Sequence, residues 1–469
     1  MINSNSLPKT FVRDGVVILL LALLLRIPFF IISSSQPAER QHAEDTRGYV
    51  DLAHNLNQGL GFGRYLQTND VSPAVWIPEL CRTPGFPWVV ARLDREPTQS
   101  THVTVLFQQV IELALCWVVF AICYFAFGRV PGLIAGVFMA LDLQGVTLAN
   151  MVLSEMTFTA LFIAAALTAT QLSKKNGLIW AAVTGLLIGA SVLVRPTTLY
   201  LGGFIGVVLV ALALWRKRWV YLATAVILVG ATYAPVVAWM ARNKAQCGAF
   251  SLTTMTQSGA LGQAGSVLAR AKGIPLNDAL EEVCNQANVS FWQIRFVPIS
   301  TEQKKRLAEV AVPIVRAHPK EMLKEYVIRT ANLMVGPEKY MLTVLGMPPI
   351  SFGLVDKSNG AKKSSNGLGL ALLGVQVLFT LAIYVGVLRT LWQAVRGRVF
   401  PGWVWICFWF SMYTLGISAA VCVGDPRYRW PTIPLLIMVA AASFIRPQTN
   451  QPASVGVEEK TSAAAAAGV

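Results

Sequence analysis

Apolar residues run through this chain in long blocks separated by short polar connections. Residues 14–32 are almost wholly apolar, follow Lys9 and Arg13, and are long enough for a helix to cross a bilayer. Similar blocks occupy about 103–127, 131–148, 151–172, 177–194, 197–214, 219–240, 368–388, 401–423 and 430–445. Read as helices, they predict ten spans, the third and fourth joined by little more than Ala149-Asn150. Residues 33–102 and 241–367 are too polar to cross and are expected as two large loop regions. The apolar run from Leu333 to Leu354 is broken by Pro337, Pro348 and Pro349, so a segment on the membrane surface is expected there. The run Lys357 to Gly367 reads as a loop, and residues 446–469 as a disordered, Ala-rich tail.

A different periodicity follows the first span. Counting from Asp45, the residues Tyr49, Leu52, Ala53 and Leu56 fall on one helical face, while Arg47, Asp51, His54 and Asn55 share the other. That pattern predicts a helix lying on the membrane with its apolar stripe down. Gly59 would end it, since glycine accepts the left-handed residue that closes a helix. Asp45 at its mouth is either a helix cap or a carboxylate placed for chemistry. A second helix is expected to open at His318-Pro319, with proline at the favoured first position and Met322, Leu323, Tyr326, Val327 and Leu333 at the interface.

Composition narrows the class. Of 469 residues 54% are hydrophobic and only 13% charged, which excludes an ordinary soluble domain and points to an all-α polytopic membrane protein. A net charge of +15 could suit nucleic acid, but the basic residues sit mainly in short loops between apolar blocks, so no nucleic-acid partner is expected. With the N-terminus inside, the inner loops of the first half hold Lys9, Arg13, Arg129, Lys174, Lys175, Arg216, Lys217 and Arg218. That orientation places 33–102 outside, and 241–367 with it. The seven cysteines show no Cys-x-x-Cys; Cys116, Cys123 and Cys407 read as packing residues, and Cys247 and Cys284 could form a disulfide.

Candidate chemistry collects on the outer side. Asp45 and Arg82 lie in the first loop, Glu155 at the start of the fourth span, and Arg195 at the end of the fifth. Arg242 follows the seventh span, and Arg427 and Arg429 separate the last two. Arginines at outer membrane ends run against the usual charge bias. One alone could be a snorkelling side chain, whereas several together suit an anion, because guanidinium grips phosphate bidentately. A phosphate at bilayer depth is a lipid phosphate. Glu155 could be a first-turn acid, or join Asp45 in holding an acceptor hydroxyl or a divalent metal. Arg26, Glu112 and Asp142 lie within or at the ends of spans, where an ion pair bracing the site is expected. No phosphate-binding loop, nucleophile elbow or zinc motif is present, so the donor must arrive already activated.

These residues form an ordered set. It comprises Asp45 with Tyr49, Ala53, Leu56, Gly59, Gly61 and Phe62, then Arg82 with Pro84-Gly85-Phe86-Pro87, and Leu153-Ser154-Glu155. Arg195-Pro196, Trp239 with Arg242-Asn243, His318-Pro319, and Arg427-Tyr428-Arg429 with Pro431 and Pro434 complete it. In this set the chain resembles the bacterial polyprenyl-phosphate-sugar-dependent glycosyltransferases of the GT-C fold, the group that includes protein mannosyltransferase-like enzymes and the lipid A aminoarabinose transferase. The resemblance implies a catalytic acid at Asp45, donor phosphate held by Arg82, Arg195, Arg242, Arg427 and Arg429, and a second outer region covering the site. Tyr49 and Tyr428 are then expected substrate contacts.

Relatives often carry Asp-Glu or Asp-Asp at the first motif; here Glu44 precedes Asp45 and Thr46 follows, so Glu44 is a further candidate. Relatives also often have a globular domain after the last helix, where this chain has a short tail, so the outer loops are expected to bind the acceptor. The implied reaction is inverting transfer of a sugar from an undecaprenyl-type phosphate to a hydroxyl of a glycan, lipid or protein, at the outer face of a bacterial inner membrane. A transporter or flippase of a lipid-linked sugar, or a non-catalytic envelope assembly protein, are the alternatives. A transporter should show broken helices and internal two-fold similarity, and the sequence displays neither.

Overall fold

The computed structural model describes residues 8–36, 41–68, 71–174, 176–291, 294, 300–347, 367–421 and 424–445. The expected tail at 446–469, and the Lys357 to Gly367 run up to residue 366, lie outside the described residues. The chain opens with α1 (Lys9–Ser34), α2 (Thr46–Asn57), a hairpin of β1 (Gly63–Thr68) and β2 (Val71–Pro78), and α3 (Gly85–Leu93). Then come α4 (His102–Phe127), α5 (Arg129–Ala140), α6 (Leu143–Ala149), α7 (Glu155–Ala169), α8 (Gly177–Val194), α9 (Leu201–Arg216) and α10 (Val220–Cys247). The next region holds α11 (Met255–Lys272), α12 (Leu276–Gln286), α13 (Thr301–Ala317), α14 (Pro319–Val335) and the short α15 (Tyr340–Val344). Two long helices, α16 (Gly367–Val395) and α17 (Gly402–Val421), a 3₁₀ segment Pro426–Thr432 and α18 (Ile433–Ala442) complete the fold.

The protein is an all-α polytopic membrane protein, with one small hairpin added to it. Among the described residues seven helices are long and apolar enough to cross a membrane. The other three expected spans are shorter for local reasons. Block 131–148 breaks into α5 and α6, bent by 48°. Asp142 stops α5 and starts α6, its carboxylate accepting from the backbone N–H groups of Gln144 and Gly145, both at 3.1 Å. Block 151–172 becomes the 15-residue α7. Block 430–445 becomes the ten-residue α18, preceded by a 3₁₀ stretch that contains Pro431. Helix α18 is buried on nearly every side, between α4, α5, α16 and α17. Apolarity all round a helix marks burial as readily as spanning, so hydropathy alone miscounts a short core helix.

Helix α2 forms where the periodicity predicted, and Gly59 ends it at φ +73°. Its apolar stripe, however, packs on the protein and not on the membrane. Val50, Leu52 and Ala53 are buried, and Tyr49 meets Phe86 of α3 edge-on at 5.0 Å. The hairpin after it escaped the sequence reading; it pairs Tyr65 with Trp76 across the strands. Helix α14 opens at Pro319 as expected, with Leu323, Tyr326 and Val327 exposed and Leu333 buried. The start of the Leu333–Leu354 run does not lie on a surface: Tyr340, Met341, Leu342 and Val344 of α15 enter the main core. Cys247 and Cys284 are both free thiols, so the possible disulfide is absent.

The expected intramembrane brace is present between Arg26 and Glu112, both buried. Arg26 also donates to the carbonyls of Met139 (3.1 Å) and Ala140 (2.7 Å), the last turn of α5 beside its bend. Asp142 is not ion-paired with Arg26; it accepts from Trp430 Nε1 at 2.6 Å. Arg26→Met leaves the Glu112 carboxylate buried without its partner, so a loss of about 3–5 kcal/mol is expected. Thermal unfolding in detergent checks this, with Arg26→Met/Glu112→Met expected to recover part of the loss.

Candidate functional site

Backbone stitching brings five distant segments to one point. The Thr46 hydroxyl donates to the carbonyl of Val152 at 2.9 Å, and the Val152 N–H donates to the carbonyl of Gln41 at 3.0 Å. These bonds hold the start of α2 beside the start of α7, and so set Asp45 beside Glu155. The Thr83 hydroxyl donates to the carbonyl of Val194 at 3.1 Å. At Gly85 an added Cβ would lie 2.8 Å from the Leu193 carbonyl oxygen, so only glycine lets α3 approach the end of α8 this closely. That contact puts Arg82 near Arg195. The 3₁₀ segment leans on α7 and supplies Arg427.

Asp45 precedes the first residue of α2 but does not cap it. Instead its Oδ1 accepts from Arg82 Nη2 at 2.9 Å and its Oδ2 from Arg427 Nη2 at 2.7 Å. Burial would raise the Asp45 pKa, but the Arg82 and Arg427 charges outweigh it and hold the carboxyl well below the usual range. Glu155, only 1% exposed, pairs with Arg195 at 2.7 Å and lies 3.7 Å from Arg427 Nε. The first contact lacks the alignment of a hydrogen bond and the second is too long for one, so both Glu155 oxygens lack a hydrogen-bond partner. Three guanidinium groups therefore share two carboxylates.

The arginines are pinned through aromatic faces. Arg82 lies 4.7 Å from the Tyr49 ring centre, while Arg195 and Arg427 lie 4.1 and 5.2 Å from that of Tyr428. The Tyr49 hydroxyl reaches Ser154 Oγ at 3.5 Å, and burial raises its pKa. Arg82 Nε, Arg195 Nη1 and Arg427 Nε and Nη1 are buried without a hydrogen-bond partner. Carboxylates lie near Arg195 Nη1 and Arg427 Nε, while Arg82 Nε and Arg427 Nη1 have no such neighbour; an unsatisfied donor costs about 1–3 kcal/mol, so the cluster is suited to an incoming anion.

Asp425 and Lys339 were not singled out from sequence. Asp425 accepts from the Arg427 N–H at 3.1 Å, lies 3.6 Å from Arg427 Nε, and pairs with Lys339 at 3.4 Å. An Asp-Pro pair opening a short helix was a legible capping signal there. Glu44 is exposed on the rim, where its charge bears on Lys339 and Tyr340.

Two expected phosphate ligands go elsewhere. Arg242 stacks on Trp239 at 4.8 Å and donates to the Phe62 carbonyl at 2.8 Å, bracing the β-hairpin. Arg429 is fully buried and donates to the carbonyls of Leu333, Met334 and Gly336 at 2.9–3.0 Å, so it anchors the end of α14. At three residues per turn, positions two apart in a 3₁₀ segment point in different directions, which separates Arg429 from Arg427. A divalent metal fits poorly at Asp45 and Glu155. Both Asp45 oxygens already accept from guanidinium, and among the described residues no three His, Cys, Asp or Glu side chains group as metal ligands.

Gly48 faces Arg82 one turn along α2, and a methyl there would collide with Arg82 Nε. Gly48→Ala therefore pushes Arg82 off Asp45. A fall of about a hundredfold in turnover with an unchanged helical signal is expected, since misplacing a reacting group by 1 Å has that cost. A rate assay beside circular dichroism on the purified variant checks it.

Residues 82–239, about a third of the chain, match the model of a family described as dolichyl-phosphate-mannose-protein mannosyltransferase. No curated protein matches the chain. Among solved structures, the chain is similar to the oligosaccharyltransferase AglB of Archaeoglobus fulgidus in complex with an inhibitory peptide and a dolichol phosphate. The two are 13% identical with a TM-score of 0.46, over 92% of this chain and 50% of that one. The apo form of the same oligosaccharyltransferase gives 14% and 0.48 over 92% and 50%. ArnT of Cupriavidus metallidurans bound to undecaprenyl phosphate gives 12% and 0.35, over 90% of this chain and 76% of that one. The chain thus spans about half the length of the archaeal enzyme, and at these scores the solved structures carry no functional argument.

Proposed function

We propose that this chain is an integral membrane glycosyltransferase that moves a sugar from a polyprenyl phosphate, of undecaprenyl type, to an acceptor hydroxyl at the outer face of a bacterial inner membrane. The observation that carries this reading is the carboxylate of Asp45 held between Arg82 and Arg427, with Arg195 and Glu155 alongside. The matched family model runs through Arg82, Glu155 and Arg195. The donor phosphate binds the guanidinium groups of Arg82, Arg195 and Arg427. Asp45 takes the proton of the acceptor hydroxyl, whose oxygen forms a bond to the anomeric carbon from the face opposite the phosphate. The bond from that carbon to the phosphate oxygen breaks, its electron pair stays on the phosphate, and the sugar inverts. The arginines stabilise the charge that develops, being already in place when it appears. Tyr49 and Tyr428 hold the arginines and border the sugar, and Glu155, ion-paired with Arg195 but not hydrogen-bonded, offers its oxygens to a substrate hydroxyl.

One observation favours transport of a lipid-linked sugar: the α5–α6 break, of the kind found at transporter sites. At that break, however, Asp142 is saturated by two backbone N–H groups and Trp430, which leaves little room for a ligand. Mass spectrometry of polyprenyl-phosphate sugars and surface glycans, with and without the protein, tests the proposal. A lipid-linked sugar should accumulate and one glycan modification vanish when the protein is absent. Purified protein in vesicles that carries the lipid-linked sugar across intact, without consuming it, would instead favour transport.

A further inference from the structure

We infer that Asp45 is the resident counter-ion of the phosphate seat, and that a lipid phosphate binds by displacing its carboxylate from Arg82 and Arg427. This rests on the glycosyltransferase reading and deepens it: the group that serves as base also guards the site until a donor arrives.

The geometry argues for displacement over simple addition. A carboxylate and a phosphate present paired oxygens to guanidinium in the same way, so both compete for one fork. Here the two oxygens of Asp45 occupy Nη2 of two different arginines, at 2.9 and 2.7 Å, bridging them as a phosphate would. The arginines are anchored more firmly than Asp45. Arg82 is held at its backbone, where its N–H donates to Glu79 Oε1 at 2.9 Å, and at its guanidinium against Tyr49. Arg427 is held by the Asp425 bond to its N–H and by Tyr428. Asp45 is the free partner: its side chain is 24% exposed, against 12% for Arg82 and 7% for Arg427, and water is at hand to solvate it once displaced. The buried donor Arg427 Nη1 has no hydrogen-bond partner in the present arrangement, and a tetrahedral anion brings a further oxygen that a planar carboxylate lacks.

A consequence follows for the chemistry. While two guanidinium groups hold it, Asp45 is a weak base. Once the phosphate has taken those groups, the carboxylate regains ordinary basicity beside the bound sugar. Proton abstraction from the acceptor is thereby tied to an occupied donor site.

The test is a binding measurement with farnesyl phosphate, a short polyprenyl phosphate, on purified full-length protein in detergent. Asp45→Asn removes the competing charge, so it should bind farnesyl phosphate at least about tenfold more tightly than the wild type, the value of one lost charge-assisted hydrogen bond. Equal or weaker binding by a folded Asp45→Asn protein overturns the counter-ion role and leaves the transferase reading standing. No binding of farnesyl phosphate by the wild type overturns the transferase reading itself. Infrared difference spectra of wild-type protein labelled with [¹³C]aspartate serve if the variant does not fold. Release of Asp45 should move a carboxylate stretching band when farnesyl phosphate is added, and an unmoved band counts against displacement.

Discussion

Asp45→Asn is expected to lower sugar transfer by about a thousandfold while the protein inserts and folds, because a positioned general base contributes roughly a hundredfold to ten-thousandfold. Asparagine keeps the size of the side chain and can still accept one hydrogen bond from Arg82 or Arg427. It cannot take up a proton. The local helix should survive the change, since Asp45 makes no side-chain cap to α2. The variant is therefore a clean probe of chemistry, provided that transfer is measured with saturating donor and folding is checked by thermal unfolding. Transfer at the wild-type rate would remove Asp45 as base and leave Glu155, whose oxygens have no hydrogen-bond partner, as the next candidate. Phosphate binding is expected to tighten in this same variant, so a fall in both affinity and rate in the folded protein would overturn the counter-ion role.

Arg427→Lys is the second large effect. Arg427 faces three carboxylates, those of Asp45, Glu155 and Asp425. Lysine keeps the charge but lacks the planar fork and cannot bridge them. Losing one preorganised donor costs about a hundredfold to a thousandfold in rate. Arg427 is buried, so the change also costs stability, but the retained charge should keep that cost below the about 3–5 kcal/mol expected when a buried ion pair loses one partner. Arg429→Lys should behave in the opposite sense. Arg429 spends its guanidinium on three carbonyls at the end of α14 and on Gln144 Oε1, so its loss should lower the melting temperature before it touches the rate. A pair of rate and unfolding measurements on the two variants separates the roles. If Arg429→Lys cost rate at an unchanged melting temperature, the assignment of the two arginines would have to be exchanged.

Much of this protein is written along its length. Hydropathy alone identifies a polytopic helical membrane protein, because a span must be apolar over enough residues to cross, whatever it packs against. Periodicity locates α2 and Gly59, and Pro319 at the start of α14, because caps and helical faces are local properties. Residue type, placement at the outer ends of spans and the ordered motifs nominated Asp45, Glu155, Arg82, Arg195 and Arg427, and Arg242 and Arg429 with them. Three decisions belonged to the tertiary structure. Blocks 131–148, 151–172 and 430–445 are short or bent helices packed among the others, and burial and spanning demand the same apolar residues. The stripe of α2 faces α3 and not a bilayer, since periodicity defines a face but not what covers it. Arg242 and Arg429 brace carbonyls while Arg82, Arg195 and Arg427 gather around two acids, because a guanidinium serves either role and only its neighbours in space choose. Asp45 shows the division most sharply. Its place at the mouth of a helix could be read from sequence, but the two arginines that take it away from capping lie 37 and 382 residues along the chain.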